Sequence, residues 1–68
     1  MRNYTNSQIT ALIDEHIHNI KHRRILKLRF VDGLTYEKIA EDAEVDLTPR
    51  RVASIVSKEA VKLDMLLG

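Results

Sequence analysis

Proline at position 49, directly after Thr48, is the feature that most restricts how this chain can fold. A threonine side chain can cap a helix, and proline is best tolerated at the first helical position, where its missing N–H has no intrahelical partner to lose. No other proline follows, and the next glycine is Gly68, so the pattern predicts one long helix from Pro49 to Leu67. The low aromatic content and the absence of alternating strand patterns or Asn-Gly hairpin signals point the same way. The expected fold is all-α: four helices in a single domain spanning residues 1–68, with a loose arm over residues 1–6.

Three helices are predicted ahead of the long one. The first runs from about Ser7 to His18, because Ile9, Leu12, Ile13, His16, Ile17 and Ile20 follow helical spacing along one stripe. Thr5, Asn6 and Ser7 are all suitable caps for it. Asn19 caps a second helix over residues 20–32, with Ile25, Leu26, Leu28, Phe30 and Val31 on its buried side. Gly33 stands where a left-handed residue ends that helix, with Leu34 folding back. Thr35 caps a short third helix from Tyr36 to about Ala43, whose inward residues are Ile39, Ala40 and Ala43. A turn over Glu44 to Leu47 then leads to Thr48.

Charge is arranged in blocks, although the net charge is only +1. Lys21, Arg23, Arg24, Lys27 and Arg29 form a basic block; Glu37, Glu41, Asp42, Glu44 and Asp46 form an acidic one; Arg50, Arg51, Lys58 and Lys62 restore basic character. Such alternation separates charge onto different faces once helices pack. With no cysteine, disulfides and thiolate metal sites are excluded, and a reducing compartment, the cytoplasm, is expected. No apolar run suits membrane spanning, so no membrane partner is expected.

An acidic helix followed by a capped basic one suggests a helix-turn-helix. Such a motif needs a small residue where its helices meet, apolar residues that lock their angle, and polar residues outward on the second helix. Ala40 is the small residue, Ile39 the lock, and Val52 and Ile55 the anchors of the second helix. Projected at about 100° per residue, Val52, Ile55, Val56, Glu59 and Leu63 share one side of the long helix. Arg50, Ser54 and Ser57 lie opposite, flanked by Arg51 and Lys58. Arginine can bond guanine bidentately, and serine and lysine can reach phosphates or base edges.

The runs "ILKLRFVDGLTYEKIA" and "TPRRVASIV" resemble the helix-turn-helix of sigma-factor region four and of the short sigma-like regulators of bacteriophages and prophages. The resemblance implies a transcription regulator that binds double-stranded DNA through the long helix and needs no cofactor. Carried over position by position, it implies DNA contacts from Thr48, Arg50, Arg51, Ser54, Ser57 and Lys58, with supporting phosphate contacts from Arg23, Arg24 and Lys27. It also implies a side able to touch RNA polymerase. In one respect the chain departs from the family, since "AEVDLTP" makes the turn about two residues longer.

His18 and His22 stand four apart, but a helix break at Asn19 separates them and no third ligand has clear spacing, so no metal site is expected. Asp14, Glu15 and His16 are ordinary neighbours on a surface helix, and no catalytic constellation or phosphate-binding glycine loop accompanies them; no enzyme is expected. Val61 and Met65 point away from the core stripe and offer a face for a homodimer or another partner. The competing functional reading is a protein-binding module that keeps the fold but acts on host machinery such as RNA polymerase.

Overall fold

The computed structural model describes residues 4–67, and in that span the chain is all-helical. Four helices follow one another: α1 (Asn6–His16), α2 (Ile20–Phe30), α3 (Tyr36–Ala40) and α4 (Pro49–Leu67).

Every helix start is set by a short polar side chain. Thr5, rather than Asn6 or Ser7, caps α1: its hydroxyl accepts the Gln8 amide at 3.2 Å while the Gln8 side chain accepts the Thr5 amide at 2.8 Å. This reciprocal pair satisfies two donors that the first helical turn leaves orphaned. The expected arm is corrected accordingly. Thr5 and Asn6 belong to the helix start, and residues 1–3 lie outside the described residues. Asn19 accepts the His22 amide at 3.1 Å, Thr35 the Lys38 amide at 3.2 Å, and Thr48 the Arg51 amide at 3.2 Å.

The helix ends depart from expectation. α1 stops at His16 rather than His18, since Ile17 is already extended. α2 ends at Phe30 with Val31 as its cap, and Gly33 follows at φ +70°, a left-handed conformation that lets the Leu34 amide return to the Leu28 carbonyl at 3.0 Å. α3 stops at Ala40, three residues early, because Asp42 draws the following backbone around itself. Its carboxylate accepts the Glu44 amide at 2.9 Å, and its carbonyl accepts the amides of Val45 and Asp46, each at 3.0 Å. Such local bonding competes directly with helix continuation. Asp46 completes the turn at φ +48°. As a result Ala43, expected inward, is exposed, and Val45 is fully buried in its stead.

Two apolar clusters fill the interior. One joins Ile25 of α2 and Ile39 of α3 to Val45 and to Val52, Ile55 and Val56 of α4. The other joins Ile9, Ile13 and Ile17 to Leu26 of α2 and Leu63 of α4. Phe30 packs against both. Ile20 is the largest departure from the predicted stripe, being 80 % exposed at the first position of α2. The break after His16 ends the α1 period before the stripe reaches it. Leu12 and His16 are half-buried.

Candidate nucleic-acid interface

The inward side of α4 is anchored over most of its length. Val52, Ile55, Val56, Glu59 and Leu63 are all buried, as the projection requires. Glu59 is the polar member of that row, and its Oε2 lies 3.4 Å from Nδ1 of His22 on α2. A buried carboxylate needs such a partner. His22 therefore faces α4, and among the described residues no three His, Asp or Glu side chains converge as a metal site.

The opposite side of α4 is open. Arg50, Arg51, Ser54, Ser57 and Lys58 are all exposed, as is Thr48 at the cap. Arg50, Ser54, Ser57 and Val61 fall within a sector of about 60° at the helical repeat, with Lys58 and Met65 beside them. The stripe thus changes character along its length, from guanidinium and hydroxyl groups near Thr48 to apolar groups near Met65. Val61 is 59 % exposed and Met65 79 %; Leu66, also 53 % exposed, stands about 140° around the helix from Val61 and so outside this stripe.

The basic block of α2 is arranged differently. Arg23 donates from Nε to the Ile17 carbonyl and, at 2.9 Å, to the Asp14 carbonyl, so it satisfies acceptors at the C-terminal end of α1. Lys27 lies 2.7 Å from Asp14. Arg24 grips Asp42 with two parallel bonds of 2.9 and 2.7 Å and reaches Glu44 at 3.2 Å. That hydrogen-bonded guanidinium, helped by the Glu44 amide, holds the Asp42 carboxyl below its ordinary value. Arg29 donates to the Leu34 carbonyl at 2.9 Å and lies 4.6 Å from the centre of the Tyr36 ring, a cation–π contact. Arg23, Arg24 and Lys27, expected as phosphate contacts, are thus committed to partners within the chain. They line an open groove of about 390 Å³ together with Asp14, Asp32 and Glu44, so the cations there meet an equal number of carboxylates.

Two features escaped the sequence reading. The turn around Asp42 has a local signal, since an aspartate two residues before a free amide is a recurrent turn-former. The His22–Glu59 pair was half visible: the projection put Glu59 on the buried side, where a carboxylate demands a partner, but only the packing of α2 on α4 identifies His22.

The chain matches no protein-family model, no characterised protein and no solved structure. Among the described residues no helix is long and apolar enough to cross a membrane.

Proposed function

We propose that this chain is a DNA-binding transcription regulator in which α3 and α4 act as a helix-turn-helix of the sigma region-four kind, as in phage and prophage regulators. The observation that carries this reading is how the cations are distributed. Ten of the 11 lysines and arginines lie in the described residues. Five of them (Arg23, Arg24, Lys27, Arg29 and Lys38) hold partners within the chain. Of the other five, only Lys21 lies outside α4; Arg50, Arg51, Lys58 and Lys62 stand on its exposed surface. Positive charge left uncompensated on one side of a buried-backed helix suits a polyanion with a groove. In this mechanism the four cations capture the duplex, the α4 N-terminus and Thr48 approach a phosphate, and Arg50, Arg51 and Ser54 read base edges.

Fluorescence anisotropy with labelled duplex tests this. Each of the four cations brought to the duplex, base-reading or not, releases counterions as one phosphate contact does, which gives a slope of log affinity against log salt of about −3.6 and a loss of roughly 150-fold between 50 and 200 mM salt. Arg50→Ala with Arg51→Ala should halve the slope to about −1.8 and leave helicity intact. Binding that ignores salt, or a double variant with wild-type affinity, refutes the reading.

A second reading rests on the apolar end of the stripe. Val61 and Met65 are exposed side by side on it, and they suit a protein contact, either a second copy or host machinery such as RNA polymerase. A salt-tolerant protein complex without DNA affinity would favour it.

A further inference from the structure

We infer that Arg24 and Asp42 form a clamp that sets the direction in which α4 is presented, so that affinity for DNA depends on two residues that do not touch it. The inference rests on the DNA-binding reading for its affinity measurement and on nothing else in that reading. A helix-turn-helix ordinarily joins its helices through a turn of about three or four residues. Here the connection runs over residues 41–48 and needs an internal support.

Asp42 supplies that support from both ends of the residue. Its carbonyl accepts the amides of Val45 and Asp46, while its carboxylate accepts the Glu44 amide and two bonds from Arg24. Val45 then enters the cluster containing Val52 and Ile55, the first anchors of α4. A continuous path therefore runs from α2 through Arg24, Asp42 and Val45 to the N-terminal half of α4. The pair is partly exposed, with 42 % of the Arg24 side chain and 20 % of the Asp42 side chain accessible, so its effect on overall stability is small. Its effect is directional: the planar fork fixes two bonds at once and so an angle.

The test separates a clamp from the phosphate contact expected of Arg24. Arg24→Lys keeps the charge but cannot fork, and Asp42→Asn keeps an acceptor for the Glu44 amide but loses the ion pair. A misdirected α4 that forfeits one bidentate base contact weakens binding by roughly 5- to 150-fold. Both variants should show that loss, with the wild-type salt slope. Simple electrostatics gives the opposite sign for Asp42→Asn, because removing a carboxylate near DNA strengthens binding. Asp42→Asn binding as tightly as wild type or tighter overturns the clamp. So does a wild-type Arg24→Lys beside an Arg24→Ala whose slope is shallower by about 0.9, the signature of one lost phosphate contact.

A second readout needs no DNA. Hydrogen exchange at the Val45 and Asp46 amides should accelerate in both variants while the α1 amides keep their protection. If wild-type protein fails to bind duplex at low salt, the DNA reading falls and this exchange measurement alone decides the clamp. Unchanged exchange in both variants refutes it.

Discussion

Val45→Ala is the substitution that most directly probes how the α3–α4 connection is held. Val45 belongs to no helix, yet it is fully buried among Ile25, Ile39, Val52, Ile55 and Val56. Truncation to alanine removes about two methylene equivalents, or ~1.6 kcal/mol of transfer free energy. Incomplete collapse of the cavity raises the total to about 2 kcal/mol. A chain of 68 residues has a total stability of about 3–10 kcal/mol, so this one turn residue accounts for a large share of it. In a domain this small, 2 kcal/mol lowers Tm by about 8–16 °C. Thermal and urea melts followed by circular dichroism at 222 nm read the change. Ala43→Ser, two residues away and exposed, is the control and should stay within about 0.5 kcal/mol of wild type. If Val45→Ala melts within about 3 °C of wild type, the turn is not part of the core, and the path from Asp42 to α4 is broken at Val45.

Three further perturbations have defined outcomes. Thr48→Ala should cost about 1 kcal/mol by freeing the Arg51 amide, and Thr48→Ser should recover most of that loss in the same melts. Asp42 titrates below its ordinary value of 3.8 in the folded chain, so it stabilises the fold above that pH and the contribution disappears as pH falls through the lowered value. The stability difference between wild type and Asp42→Asn should therefore be full near neutrality and shrink as pH falls below about 4; a difference that does not shrink on acidification would contradict the ion pair. Val61→Lys with Met65→Lys should leave Tm within a few degrees, since both side chains are exposed. In sedimentation the same double variant should run as a monomer at concentrations where wild type self-associates, if a second copy covers this face.

What was legible beforehand divides according to the range of the interactions. Caps act over three residues, and Asn19, Thr35 and Thr48 each accept the amide expected of them. The row Val52, Ile55, Val56, Glu59 and Leu63 was legible because nothing interrupts the period of α4. Ile20 was misread because the stripe was carried across a helix end that Ile17 imposes. Ala43 and Val45 exchanged places because helical spacing was extended past Ala40, where an aspartate side chain outcompetes the backbone ladder. Arg23, Arg24 and Lys27 read as phosphate contacts since their partners lie on other elements, 6 and 9 residues away for Arg23 and 18 for Arg24, and local patterns carry no trace of them. The exposure of Arg50 and Arg51 was foreseen; their role belongs to the proposed function.

The division of the interior at α2 also decides which part of the molecule loosens first. α2 sends Ile25 to one cluster and the adjacent Leu26 to the other, while among the described residues α4 contributes Val52, Ile55 and Val56 to the first cluster and Leu63 to the second. α1 is held by three isoleucines and by the grip of Arg23 and Lys27 on its last turns. Its release uncovers Leu26 and Leu63 but leaves Ile25, Ile39, Val45, Val52, Ile55 and Val56 packed together. The lowest-energy opening of the native ensemble is therefore a peeling of α1, and its amides exchange ahead of those in α3 and the first half of α4. A molecule breathing in this way keeps its basic helix aimed even while the 11 residues of α1 are undocked.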